Sequence, residues 1–341
     1  VTRKTIRIID VAERVNVSPA TVSAVLNHKA AEARISEAMQ EAVWIAAREL
    51  GYQPNIAARS LRANGGIKNA FYLAVISASE TPLTTLGPMF QGVLAFADQS
   101  TTPIQLTLEM FHRGKLHELP GLMNGSRFNG AIIANTAPED DAFLANTDLA
   151  APVSVFLRRV ARHNYVDSNS SDCGNQAVEL LWKIGRRKFA LVAPSSTTQA
   201  RAERERGFRD ALHKHGQSDD AISTIIAPSF DERGGFDAVA AFLDGGRQCD
   251  ALFAVGDTLA FGAIAAIKQH GLSVPSDVAV IGHDDLPMAP FVDPPLTTFH
   301  IPLARMAFDA AATLVDLLNG TRKGPVHMLY TGELIVRGSS A

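Results

Sequence analysis

Between Phe71 and Asp285, short apolar runs alternate with amphipathic stretches, and they do so in two successive sets. The first set reads as strands at FYLAVIS, PIQLTLEMF, FNGAIIAN and PVSVFL, with helical spacing around residues 88–99, 112–124 and 138–146. The second reads as strands at KFALVAP, AISTIIAP, DALFAVG and DVAVIGHDD, with helices near 174–185, 202–215, 233–245 and 258–270. Apolar strands separated by helices imply parallel sheets covered on both faces and built by right-handed crossovers. Two sets imply two Rossmann-like halves with a cleft between them. In sheets of this kind a ligand sits beyond the carboxyl ends of the strands.

The residues before this body follow a different period. Ile8, Val11, Ala12 and Val15 fall at i, i+3, i+4, i+7 on one helical face. Ser18 then offers an N-cap oxygen, and Pro19 takes the first helical position, where its missing N–H costs nothing. In the helix that follows, Val22, Val25 and Leu26 form the apolar stripe, leaving Pro19, Ala20, Ser23, Ala24 and Asn27 on or near the open face. Such a pair is either an ordinary helical hairpin or a helix-turn-helix whose second helix enters a DNA major groove.

Ser36 starts a third helix, with Met39, Ala42, Val43, Ala46 and Leu50 at helical spacing and Gly51 and Pro54 ending it. Asn55 caps one more turn and a half, IAARSLR, ending before Asn64-Gly65-Gly66. A helix this short is marginal alone, so its formation is expected to depend on something holding it. The expected division is therefore a head at 1–54, a hinge helix and linker at 55–66, and a body at 67–341.

Charge follows the same division. Residues 1–66 carry nine Lys and Arg against six Asp and Glu, and the remainder carries 23 against 29, although the whole chain is only −3. A basic head on an acidic body is the asymmetry expected when only the head meets phosphate. The chain is 46% apolar and 20% charged, which suits a globular core, and no apolar run approaches the ~20 residues that span a bilayer. The N-terminus is polar and basic rather than signal-like, so no membrane association and a cytoplasmic setting are expected. Cys173 and Cys249 are expected to remain reduced there.

Several segments in order resemble the lactose-repressor (LacI/GalR) family of transcriptional regulators, over nearly the whole chain. DVAERVNVSPATVSAVLN is similar to that family's DNA-reading signature, and ELGYQPNIAARSL to its third-helix end and hinge. GDTLAFGAI, VPSDVAVIGHDDLPMAPFVDPPLTTF and ELIVRGSS are similar to its body motifs. The resemblance implies an all-α helix-turn-helix head on an α/β body of the periplasmic-binding-protein type. Its N-subdomain would hold residues of about 70–167 and 302–329, and its C-subdomain about 168–298 and 330–340. It also implies a homodimeric, sugar-responsive regulator, most simply a repressor, that binds a pseudo-palindromic operator with paired hinge helices in the minor groove.

By position in ARSL, Leu61 matches the family's apolar lever between central base pairs, where unstacking kinks the duplex. Arg59 and Arg62 flank it as phosphate or groove contacts, with Asn55 and Ala58 on the same hinge. Ser18 and Thr21 suit phosphate positioning, which orients without specifying sequence. With few long polar side chains on the open face, base discrimination is expected to lean on Ser18, Thr21, Ser23, Asn27 and thymine-methyl contacts by Ala20.

In the body, Arg204 of RERGF and Asp284 of GHDD match the residues with which the family faces effector hydroxyls or carboxylates. Ser77 and Asp257 are further candidate effector contacts. The sequence departs from the family in several places. The loop from His28 to Ile35 is about three residues longer, and Ala24 stands where many relatives carry Arg or His. Gly256 and Asn169 stand where relatives often place Asn and Asp. Arg158 and Arg159 follow strand VSVFL where an aspartate is common. Two readings stand for these arginines: with Arg204 they make the effector anionic, such as a sugar acid or sugar phosphate, or they point to solvent or pair with nearby acids.

No enzyme chemistry is expected. There is no Walker-type phosphate loop, no GxGxxG after the first strand, and no HExxH or CxxC. His213 and His215 lie at i, i+2 on a helix and diverge, so they read as surface residues, and no metal or cofactor is expected. Asp284 and Asp285 are adjacent and cannot both face one substrate as an acid–base pair. A solute-binding protein would share the body but lack the head. The chain stops at Ala341 without the heptad-leucine tail of the family's tetramers, so a dimer is the expectation.

Overall fold

A computed structural model describes residues 6, 8–26, 30, 33–50, 52, 70–125, 127–195 and 198–341. The head contains α1 (Ile8–Arg14), α2 (Pro19–Leu26) and α3 (Glu37–Leu50). Asn16 turns the chain between α1 and α2 at φ 52, a conformation that asparagine tolerates. The predicted stripes meet: Val11 and Ala12 of α1, Val22, Val25 and Leu26 of α2, and Val43 and Ala46 of α3 bury one small core, which Ala47 joins.

The body holds two parallel sheets. The first runs β11-β5-β4-β3-β1-β2, comprising β1 (Phe71–Ala78), β2 (Ile104–Phe111), β3 (Gly130–Ala134), β4 (Val153–Phe156), β5 (Asn164–Ser168) and β11 (His327–Tyr330). Along β1, Leu73 and Val75 enter one apolar cluster while Ala74 and Ile76 enter another, so both faces of this sheet are covered. The second runs β7-β6-β8-β9, comprising β6 (Phe189–Pro194), β7 (Ser223–Ala227), β8 (Ala251–Ala254) and β9 (Ala279–Ile281). A separate antiparallel pair joins β10 (Thr298–His300) to β12 (Glu333–Ile335).

The helices are α4 (Leu83–Gln99), α5 (Pro120–Asn124), α6 (Pro138–Asn146), α7 (Ser170–Lys183), α8 (Gln199–Lys214), α9 (Glu232–Asp244), α10 (Asp257–Gln269) and α11 (Leu303–Leu318). Two differ from expectation. Pro88 does not start α4 but lies inside it, where burial of Leu86, Met89 and Val93 on one face offsets the hydrogen bond proline cannot make. Residues 112–124 are not one helix: Gly114 turns the chain at φ 83, a 3₁₀ turn covers Leu116–Glu118, and Pro120 opens the five-residue α5. Strand β5 and the distant β11, β10 and β12 also escape the alternation. They are three to five residues long, and only their pairing reveals them.

Helix α8 is held close to α7 by small residues. A Cβ on Gly207 would stand 1.9 Å from the Ser171 carbonyl oxygen, and one on Gly174 would stand 2.2 Å from that of Arg204. This contact fixes the height at which α8 presents its first turns. Among the described residues, no helix is long and apolar enough to cross a membrane.

Candidate functional site

The head presents the N-terminal end of α2. Ser18 Oγ accepts from the Thr21 backbone N–H at 3.1 Å and lies 2.9 Å from Thr21 Oγ1, so the expected cap forms and ties up both hydroxyls. Ser18, Pro19 and Ala20 are exposed, while Thr21, Ser23 and Ala24 are half-buried. Val22, Val25 and Leu26 face the core, so the open face is the predicted one. Asn27, Asn55, Ala58, Arg59, Leu61 and Arg62 lie outside the described residues.

A cleft of about 90 Å³ opens beyond the carboxyl ends of the body strands. Asn135, Thr136, Leu157 and Arg158 line it after β3 and β4; Arg201, Arg204, Phe230, His283 and Asp284 line it from the elements around the second sheet. The chain leaves these strand ends by left-handed turns at ordinary residues. Asn135 has φ 58, Leu157 φ 55, Asp284 φ 116 and Asp285 φ 51. Backbone of this kind is strained for a side chain such as leucine and gathers at ligand sites. Here it swings Arg158 and Asp284 off their strands toward the cleft.

Of the predicted effector residues, the structure brings Arg158, Arg204 and Asp284 to the wall; Ser77, Arg159, Gly256 and Asp257 are not among the lining residues. Ser77 is buried and donates to Thr81 Oγ1 at 2.7 Å, and that oxygen also accepts from Asn135 at 3.1 Å, so Ser77 supports two lining side chains. Asp257 accepts from Thr298 Oγ1 at 2.5 Å and from the Leu286 N–H at 2.7 Å, pinning the loop that carries His283 and Asp284. Burial, with Asp284 nearby, raises its pKa to about 7. Gly256 acts through space alone: a Cβ there would stand 2.3 Å from Phe230 Cζ.

The two strand-end arginines are matched by acids, which corrects one of their two sequence readings. Arg158 Nε meets Asp141 Oδ2 at 2.5 Å, and Arg159 meets Asp167 at 2.6 Å and Glu203 at 3.3 Å. Each guanidinium charge is neutralised locally, and Arg159 spends its donors bridging β5 to α8. His213 and His215 are likewise surface partners, to Asp219 at 3.3 Å and Glu179 at 2.9 Å.

Among the described residues lining the cleft, Arg201 is a guanidinium without an ion-pair partner, and sequence reasoning missed it. Its guanidinium carbon lies 3.8 Å from the centroid of the Phe230 ring. Among the described residues no carboxylate comes within ion-pair distance of it. Burial and the neighbouring Arg204 lower its pKa to about 10, which still leaves it charged. Arg204 is buried and gives one N–H to the Val255 carbonyl, while its Nε has no partner. Burial opposes the charge on Asp284, but its hydrogen bond to His283 and the positive charges of Arg204 and Arg201 outweigh that cost and hold its pKa below the usual carboxylate value. Two guanidinium groups thus face one carboxylate, and the wall carries net positive charge.

A signal for Arg201 was available, since it lies three residues before Arg204 and so shares its helical face. His283 immediately precedes the predicted Asp284. Nothing local marks Phe230, whose place depends on the missing side chain of Gly256.

Comparison with known proteins covers both parts. Residues 7–55 match the family model of bacterial regulatory proteins, lacI family, and residues 178–340 match that of a periplasmic binding protein-like domain. The chain is 30% identical over 338 residues to the HTH-type transcriptional regulator CelR of Thermobifida fusca, covering 96% of each chain. It is similar to the solved CelR–cellobiose complex, with TM-score 0.69 and 27% identity over 98% of this chain and 99% of that one. It is also similar to the lac repressor dimer bound to operator and an anti-inducer, with TM-score 0.69 and 25% identity over 99% of each. Helix-turn-helix head, two-sheet body and whole-length similarity agree, and the chain belongs to the lacI family of bacterial regulatory proteins.

Proposed function

We propose that this protein is a repressor that binds a pseudo-palindromic operator as a homodimer, and that a small anionic effector in the cleft sets its operator affinity. In this reading residues 1–54 are the DNA-reading head, 55–66 the hinge, and 67–341 the effector-binding and dimerisation body. The relatives support its outline, since the lac repressor is solved on operator and CelR with cellobiose. Exposed Leu108 and Met110 on the edge strand β2, and exposed Phe291 and Met288 on the second half, are apolar surfaces that a second copy would cover.

The observation that carries the anionic reading is Arg201, a desolvated guanidinium over Phe230 with no carboxylate partner among the described residues. A carboxylate or phosphate accepts two parallel N–H bonds from such a group, and burial strengthens them. Effector acts on DNA only through its different affinities for two arrangements of the body, which set whether paired heads can reach both half-sites.

Selecting DNA sites from a random pool, followed by fluorescence anisotropy on the winner, tests the DNA half. Failure to enrich any site removes it. Thermal-shift screening of sugar acids, sugar phosphates and neutral sugars tests the ligand half. Anions are expected to stabilise the wild type and not Arg201→Gln, with DNA affinity of the ligand-free variant unchanged. Stabilisation by neutral sugars, with no response to anions, overturns the anionic reading.

A further inference from the structure

One polar side chain on the cleft wall has no role in holding an anion. His283 lines the cleft, is 1% exposed, and places Nδ1 2.9 Å from Asp284 Oδ1. Asp284 is ionised and can only accept, so Nδ1 carries the ring proton. Burial and the charge of Arg204 push the His283 pKa down to about 4, so at neutral pH that proton is the ring's only one. Nε2 is therefore a bare lone pair, and it is buried without a hydrogen-bond partner among the described residues. A buried acceptor left in this state costs free energy that a donor restores.

The chemistry of that donor is restricted. A carboxylate or fully ionised phosphoryl group held by Arg201 and Arg204 brings acceptors, not donors, and cannot satisfy Nε2. A hydroxyl can. Arg204 Nε–H is likewise buried without a partner, and a hydroxyl oxygen is an acceptor suited to such a donor. We propose that His283 Nε2 accepts a hydrogen bond from an effector hydroxyl, so that the ligand class is a hydroxylated anion, a polyhydroxy carboxylate or its phosphate counterpart, and not a simple anion. His283 is then a specificity-determining residue: the arginines select charge, and the imidazole selects a hydroxyl beside it. This rests on the anion-binding reading of the cleft.

Isothermal titration of the full chain tests it, with gluconate, glucose 6-phosphate, hexanoate, sulfate and glucose as probes, on wild type, His283→Phe and His283→Gln. Phenylalanine keeps a planar ring of similar volume without the acceptor, and glutamine restores an oxygen acceptor should the phenyl variant fail to fold. Gluconate or glucose 6-phosphate is expected to bind wild type at least about ten-fold more tightly than hexanoate or sulfate. His283→Phe should erase that margin, and His283→Gln should retain part of it. Reading the ratio within each variant removes any general effect of losing the Asp284 contact. Which of the two hydroxylated probes binds identifies the carboxylate or the phosphate source.

Equal binding of hydroxylated and hydroxyl-free anions, or an unchanged margin in His283→Phe, overturns this proposal and leaves the anion site standing. Binding of glucose without any anion, or of no probe at all, overturns the anion site and this proposal with it.

Discussion

Gly256 and Phe230 occupy one another's space: the ring fills the volume a side chain at 256 would need, with Cζ 2.3 Å from where its Cβ would stand. Gly256 has φ −164, extended backbone open to any residue, so the glycine is required for room and not for conformation. Phe230 in turn carries Arg201 on its face. The three residues come from β7–α9, the start of α10 and the first turn of α8, and they form one stack. Gly256→Asn should expel the ring and leave Arg201 without its platform. A cation–π contact of this kind is worth about 1–2 kcal/mol when desolvated, so anion affinity should fall about ten-fold or more, measured by calorimetry.

Asp257 and His283 give the body opposing pH dependences. Folded Asp257 titrates at about 7 against 3.8 in its ordinary state, so between those values the folded protein holds a proton that the unfolded chain has lost, and stability falls as pH rises. Folded His283 titrates at about 4 against 6.5, so between those values the unfolded chain holds the extra proton, and stability rises with pH. From pH 4 to 6.5 the two oppose each other. Relative to wild type, Asp257→Asn should make the melting temperature climb more steeply across this window, and His283→Phe should make it decline. Thermal melts at several pH values between those limits check both signs. Parallel curves for all three proteins would show that neither group titrates there.

Ser18 holds the start of α2 through one N–H and shares its hydroxyl with Thr21. Ser18→Ala should cost the head about 1 kcal/mol, the usual value of such a cap, while Ser18→Asn retains a capping oxygen. The expected readout is a several-fold loss of operator affinity in the alanine variant, with effector binding in the cleft unaltered. Equal operator affinity for serine and alanine would show that the cap is not needed to present the helix.

Much of this architecture was legible in the residues. The stripes of α1, α2 and α3 converge as their spacing requires, because an amphipathic face has one way to be buried in so small a bundle. The two sets of alternating strands and helices became two parallel sheets for a related reason, since strands buried on both faces must be apolar throughout. Arg204 and Asp284 were found by motif. Helix α4 and the segment 112–124 were misjudged where proline and glycine act against position-independent rules: Pro88 is tolerated inside a well-buried helix, and Gly114 breaks one.

The sequence by itself determined the periodicities, the head and body they build, and the strand ends at which a ligand would lie. It could not determine which arginine is left without a carboxylate partner. Arg158, Arg159 and Arg201 are equal as letters, yet Asp141 of α6, Asp167 of β5 and Glu203 of α8 claim the first two. Arg201 meets an aromatic face that is present only because Gly256 has no side chain. Charge neutralisation depends on distance through space, falling off over a few ångströms in a poorly screened interior. Only tertiary packing, that of α8 against α7 included, set those distances, and with them the sign of the cleft.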